Sequence, residues 1–314
     1  MGDVGVGGLL SPTPTQDLAN AEVDTEVGVT KTRILVANVA AAEEDSETGH
    51  IFKTVAVEMW KRSYAPAMSP DTELTFRFPR RGLSNLDAQP YSYLHAFSDS
   101  EILYMIMQAE RDGYDGVIIA CYHDPALMAA RQAVDIPVVG FGESSMLLAL
   151  TMGRRFGLFC PSPLGVPDFE ERVAQYGMRE RCAGVEAGFL PAEQQEAAMV
   201  DARAAIEEFT EVSRRLIARG AEVIIPGCGL IAPCLRFAPG CEVAYPAGLT
   251  EVDGVPILDL FGAAMKMAEA LIGLKRAGSP WISRKCMFAG ASPQALEGAR
   301  TVLEYTGPGF WDCR

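Results

Sequence analysis

Two of the eight cysteines in this 314-residue chain, Cys121 and Cys228, end the same kind of segment. Asp115-Gly-Val-Ile-Ile-Ala-Cys121 and Ala221-Glu-Val-Ile-Ile-Pro-Gly-Cys228 each run a short apolar stretch out into a thiol. Each also follows a glycine turn, Asp112-Gly113 or Arg219-Gly220. In an open parallel sheet the ligand crevice lies beyond the carboxyl ends of the strands, so both thiols are expected at a functional edge. A thiol titrates near pH ~8.5 in water, and the setting of each cysteine is expected to enlarge its thiolate fraction. Cys121 is followed by Asp124-Pro125, a favoured N-cap and a favoured first helical residue, which is expected to put the thiol at the positive end of a helix. Cys228 is flanked by Gly227 and Gly229, which let backbone amides turn toward an anion. One thiolate and one thiol on opposite faces of a carbon can take a proton from one side and return another from the other. That inverts configuration without metal or cofactor, provided hydrogen-bond donors meet the substrate oxygen. Backbone amides and the hydroxyls of Ser144 and Ser145 are candidates for those donors. The competing reading is a pair of ordinary core cysteines, and the matched placement at two strand ends favours chemistry. Cys160, Cys182, Cys234, Cys241, Cys286 and Cys313 show no such pairing and read as structural.

The chain around these thiols alternates short apolar runs with longer helical stretches. Strands are expected at Ile34–Ala37, Leu74–Phe78, Gly116–Ala120, Pro137–Gly140, Phe156–Cys160, Gly184–Phe189, Val223–Pro226 and Val255–Leu258. Helices are expected around Phe52–Arg62 and at Asp99–Asp112, Pro125–Gln132, Asp168–Tyr176, Glu193–Arg219 and Leu260–Lys275. Such alternation argues for parallel sheets covered on both faces, and the length allows two cores. The expected fold is α/β, with two pseudo-symmetric, flavodoxin-like parallel-sheet domains and the active site in the cleft between them. Residues 31–142 plus 259–276 are assigned to the first domain, 143–258 to the second, and 277–314 to a C-terminal extension. Residues 1–30 carry five acids and no Lys or Arg, and are expected to form a disordered or loosely docked arm.

Composition excludes several functions. With 27 Lys plus Arg against 41 Asp plus Glu, the net charge of -14 opposes nucleic acid and anionic membranes as partners. The irregular cysteine spacing fits a reducing compartment. Neither an export signal nor an apolar run of about twenty residues is present, so a cytoplasmic location is expected. Gly140-Phe-Gly-Glu-Ser-Ser145 imitates a dinucleotide fingerprint, but Ser145 stands where the third glycine belongs, and the next strand, ending at Cys160, supplies no acid for a ribose. Cys121 with His123, or Cys234 with Cys241, lacks a second pair at zinc spacing. No metal and no cofactor are expected. Asp124 is expected to cap its own helix, His123 to tune the thiol, polarise the substrate or make structural hydrogen bonds, and Glu143 to bind either a loop or the substrate.

The quoted residues resemble the aspartate/glutamate/hydantoin racemase superfamily over about residues 33 to 275. Ile118-Ile-Ala-Cys-Tyr-His-Asp-Pro125 is similar to the hydantoin-racemase form of the first cysteine motif, in which Asp-Pro follows three residues after the thiol. Ile136-Pro-Val-Val-Gly-Phe-Gly-Glu143, Gly227-Cys228-Gly229 and Val255-Pro-Ile-Leu-Asp259 resemble the same branch. The resemblance implies a fold of two pseudo-symmetric domains, with Cys121 and Cys228 as catalytic cysteines. Asn38, Tyr122, His123, Glu143, Ser144, Gly227 and Gly229 are the expected substrate contacts; of the family's Asn-Pro-Asn stretch only Asn38 carries over, because the chain reads Ala37-Asn-Val-Ala40. Retention of both thiols separates the chain from arylmalonate decarboxylases, which resemble this fold but keep only the second. The segment Arg236–Asp253 is longer than the family leads one to expect, and the tail with Trp281, Phe310 and Trp311 is additional. The expected activity is racemisation or epimerisation at a carbon next to a carbonyl, in a 5-substituted hydantoin or related amino-acid derivative. Two alternatives stay open: cis-trans isomerisation of a maleate-like dicarboxylate, and a catalytically silent ligand-binding protein. The expected partner is a small molecule, and homo-oligomer formation is open.

Overall fold

Ile34, Leu35, Val36 and Ala37 are all fully buried, as befits a strand covered on both faces. The computed structural model describes residues 31–41, 52–83, 91–299 and 310–313; the arm expected over residues 1–30 lies outside them. The buried strand, β1 (Thr32–Ala37), lies at the middle of a five-stranded sheet. β2 (Thr72–Pro79) and β3 (Gly116–Ile119) flank it in parallel, with Val36 opposite both Phe76 and Ile118, and β4 (Val138–Gly140) follows β3. A second sheet has β5 (Phe156–Cys160) between β6 (Cys182–Ala187) and β7 (Val223–Pro226), again all parallel. β8 (Glu251–Val252) and β9 (Val255–Pro256) form a small hairpin. β10 (Phe310–Cys313) returns antiparallel along β2.

The two-residue side-chain alternation divides the first core. Leu35, Ala37, Val117, Ile119 and Val138 face Ile102, Met105, Ile106 and Ala109 of α2 (Ser92–Arg111), which recur at helical spacing, and Leu127 and Ala130 of α3 (Leu127–Ala133). Ile34, Val36, Ile118 and Val139 face the other way, toward α1 (Val57–Tyr64), which follows a π-helical turn at Phe52–Ala56, and α10 (Leu260–Arg276). That layer is continuous with the core of the second sheet. Burying each such aliphatic side chain contributes about 1.5–3 kcal/mol. The remaining helices are α4 (Phe141–Met152), α5 (Val166–Gln175), α6 (Ala192–Ala197), α7 (Arg203–Ala218), α8 (Ile231–Phe237), α9 (Cys241–Ala244) and α11 (Pro293–Gly298).

Three elements differ from the sequence reading. The helix expected over Glu193–Arg219 is two, α6 and α7, because the Ala202 amide leaves the helical ladder to bond the Pro239 carbonyl at 3.0 Å. α4 occupies a stretch for which no helix is expected from the sequence, and α2 starts seven residues before Asp99. The extension past α10 is fastened to the end of α3: Arg284 donates to the Arg131 carbonyl at 2.7 Å, and Trp281 Nε1 to the Asp135 carbonyl at 2.7 Å. Among the described residues no helix is long and apolar enough to cross a membrane.

Candidate active site

β3 delivers Cys121 into a tight loop in which Asp124 and Ala126 both adopt positive φ, 46° and 57°. The helix after this loop does not begin at Asp124-Pro125 as expected. α3 starts at Leu127 and has no side-chain cap. Asp124 instead caps a helix distant in sequence: its Oδ1 accepts the Gly142 amide at 2.8 Å and its Oδ2 the Glu143 amide at 2.7 Å, in the first turn of α4. The Tyr176 hydroxyl also donates to Oδ2, at 2.7 Å. Gly140 makes room, since a Cβ there would sit 2.1 Å from Asp124 Oδ1. Burial pushes the Asp124 carboxyl up to about 6, against the pull of these three donors.

The Cys121 thiol is buried, and burial pushes it up to about 12; the His123 amide donates to the sulfur and pulls the other way, while the Asp124 charge adds to the rise. The expectation of an enlarged thiolate fraction is therefore corrected. Desolvation outweighs the single amide, and the helix that follows starts only at Leu127.

β7 delivers Cys228. Gly227 is obligatory here, because a Cβ would lie 2.3 Å from the Phe159 carbonyl oxygen. The amides of Leu230 and Ile231 donate to the Cys228 sulfur, and burial still leaves its titration above the ordinary value. On its other side the S–H donates to Gln195 Oε1 at 3.7 Å. The Trp60 indole donates to the Gly229 carbonyl at 3.0 Å, which pins the loop.

Both thiols line one cleft of about 830 Å³, open mouth included. Asn38, Tyr122, His123, Gly227 and Gly229 line it with them. Glu143 and Ser144 do not, and those two expected contacts are corrected. Glu143 pairs with Arg131 through both carboxylate oxygens. The Ser144 hydroxyl donates to the Gly140 carbonyl at 2.6 Å and that of Ser145 to the Gly142 carbonyl at 2.9 Å, so both are spent inside α4. A donor does remain at the end of β1: Asn38 Nδ2 is buried with no hydrogen-bond partner among the described residues. His123 Nδ1 lies 2.6 Å from Asp168 Oδ2. Burial opposes ionisation of Asp168, but the bond and charge of His123 prevail and hold it below its ordinary value. That carboxylate keeps a proton on Nδ1.

Three lining features escaped the sequence. Cys160, at the end of β5, is a third thiol on the cleft, pushed up to about 12 by burial and donating to the Ser162 carbonyl at 3.1 Å. Its signal was present, since Phe156-Gly-Leu-Phe-Cys160 is also a buried strand that ends in a cysteine. Phe169 and Gln195 come from segments with no local mark of function. Among the described residues the lining contains no Lys, Arg, Asp or Glu. Among the described residues, no three His, Cys, Asp or Glu side chains converge as a metal site.

Parallel strands carry thiols from two sheets into one cleft, and comparison with known proteins defines the class, an isomerase of the racemase kind. The Asp/Glu/Hydantoin racemase family profile matches residues 63–268. A hydantoin racemase of Rhizobium meliloti is 35% identical over 188 residues, 57% of this chain and 68% of that one. Another, from Pseudomonas sp. (strain NS671), is 31% identical over 212 residues, 66% and 77% of the two chains. The allantoin racemase structure from Klebsiella pneumoniae superposes with a TM-score of 0.65 at 25% identity, covering 89% of this chain and all (100%) of that one. The chain belongs to the Asp/Glu/hydantoin racemase family.

Proposed function

We propose that this racemase inverts the carbon next to a carbonyl in a neutral five-membered ring, a 5-substituted hydantoin or a related amino-acid derivative, with Cys121 and Cys228 as the two proton carriers. The observation that carries the reading is the pair of thiols on one cleft whose lining, among the described residues, has no Lys, Arg, Asp or Glu. A dicarboxylate such as maleate would find no Lys or Arg among those residues, whereas an uncharged ring leaves no buried charge unpaired. The relatives named above act on hydantoins and on allantoin, which is itself a hydantoin bearing a ureido group.

In one direction the thiolate of one cysteine takes the ring C–H proton, and the electron pair moves into the adjacent carbonyl as an enolate. The thiol of the other cysteine then protonates the opposite face, and its sulfur keeps the negative charge. The two thiols have thus exchanged roles, ready for the mirror-image substrate. Asn38 Nδ2 is the donor for the developing enolate oxygen; it is already desolvated, so it needs no reorganisation. His123, with Nδ1–H committed to Asp168, can offer Nε2 as an acceptor for a ring or ureido N–H. Trp60 and Phe169 supply apolar wall for the 5-substituent.

The test is proton-deuterium exchange followed by NMR, with each enantiomer of several 5-substituted hydantoins and of allantoin, using wild type, Cys121→Ser and Cys228→Ser. Exchange with inversion in wild type, reduced about a thousandfold or more in both variants, is expected. Absence of exchange with every ring tested refutes the substrate class. Full racemisation by either single variant refutes the two-thiol mechanism.

A further inference from the structure

Cys228 and Cys121 do not have equal surroundings. The Cys228 sulfur accepts two backbone amides, from Leu230 and Ile231, whereas Cys121 accepts one, from His123, and also feels the Asp124 carboxylate. Left to these contacts, Cys228 would ionise first. A racemase working in both directions needs each thiol to be base in one direction and acid in the other, so a lasting mismatch traps the proton pair in one arrangement.

Gln195 acts against that mismatch. It lies on α6, 7% exposed, and its Nε2 donates to the Leu190 carbonyl at 2.8 Å. A carbonyl can only accept, so it must face the NH2 end of the amide, which cannot be turned round, and Oε1 is the atom that faces the Cys228 sulfur at 3.7 Å. An oxygen acceptor beside a thiol stabilises S–H and repels S⁻. We propose that Gln195 is a positioning residue whose fixed amide oxygen holds the proton on Cys228 and narrows its mismatch with Cys121, so that the pair can exchange acid and base roles. The titratable groups that sense Cys228 are the thiols of Cys121, Cys160 and Cys234. The nearby charged groups act elsewhere: Asp124 and Arg172 on Cys121, and Asp168 on Cys160. His123 lines the same cleft. The influences on Cys228 are burial and the amides of Leu230 and Ile231, with no charged group among them.

The inference rests on the two-thiol reading above, but its first test needs no substrate. The full chain is alkylated with iodoacetamide at fixed pH values from 7 to 9, and the rate of modification of Cys121 and of Cys228 is followed by peptide mass spectrometry in wild type, Gln195→Met and Gln195→Glu. In Gln195→Met, which keeps the length but removes the acceptor, the Cys228 rate should rise about threefold, the change that a fall of about half a pH unit in its titration gives, while the Cys121 rate stays in place. In Gln195→Glu the Cys228 rate should fall. An unchanged Cys228 rate in either variant overturns the proposal, and so does an equal change at both thiols, which would mean general loosening. Catalysis gives a second readout. Because the equilibrium constant of a racemisation is one, kcat/KM for the two enantiomers must stay equal, so the mismatch released in Gln195→Met should appear as a change of about threefold in the ratio of the two kcat values. A changed Cys228 rate in an enzyme that racemises no hydantoin would leave the Gln195 contact standing and fell the substrate reading alone.

Discussion

Raising the assay from pH 7 to pH 9 is expected to increase kcat/KM for a 5-substituted hydantoin about a hundredfold, tenfold per pH unit, with no plateau. Burial holds Cys121 up to about 12, so at pH 7 only about one molecule in 10⁵ carries its thiolate. Cys228 is likewise held above its ordinary value, so up to about pH 9 each further unit multiplies the reactive form about tenfold at either sulfur. The same burial sets the upper limit of the experiment. A thiol whose folded titration is raised leaves stability intact below its unfolded value and removes it as pH climbs toward the folded one. By pH 10 each thiol held at about 12, Cys121 and Cys160, costs about 2 kcal/mol. The assay is optical rotation of one enantiomer, with an enzyme-free blank at each pH because the ring also enolises unaided in alkali, and with circular dichroism to confirm the fold. A rate that levels off at or below pH 8 would show a thiolate already stable at neutrality and would refute the argument that desolvation dominates this site.

Asp124→Ala should lower unfolding free energy in urea by about 2–4 kcal/mol, since it strands two α4 amides and the Tyr176 hydroxyl; a loss under 1 kcal/mol would mean water replaces the carboxylate. Asn38→Ala should reduce kcat/KM about a hundredfold with the melting temperature unchanged or slightly raised, because among the described residues Nδ2 has no partner to lose. A stability loss without a rate loss would make Asn38 structural.

The parallel strands were legible because strands buried on both faces read as continuous apolar runs, and Ile34–Ala37, Phe156–Cys160 and Val223–Pro226 all fall inside observed strands. α4 was not, for a physical reason. Its cap, Asp124, lies sixteen residues before Gly140, so no N-cap residue stands at its start and its glycines imitate a turn. The Asp-Pro pair misled in the complementary way, announcing a cap for α3 while the carboxylate served α4. In the site, the cysteines with their flanking Tyr122, His123, Gly227 and Gly229 could be read because strand ends carry chemistry in such sheets. Gln195 and Phe169 could not, because they reach the cleft through the packing of α6 and α5, which leaves no trace in residue spacing. Ser144 was misplaced by its position after a strand; once α4 forms, its hydroxyl turns back to the Gly140 carbonyl.

An exposed strand border is an invitation to pair with a foreign chain, and the first sheet declines it in two ways along β2. Its carboxyl half, Phe76–Pro79, is occupied by β10, which consumes the N–H and C=O groups that another polypeptide would seek. Among the described residues no strand pairs with its amino half on that side, which carries Glu73, paired with Lys31 at the mouth of β1, and a charged pair on a border makes a poor template for a stranger's strand. The tail past α10 thus has a use unrelated to turnover. It guards the sheet against growing sideways, so shortening the chain there would be felt first as loss of solubility.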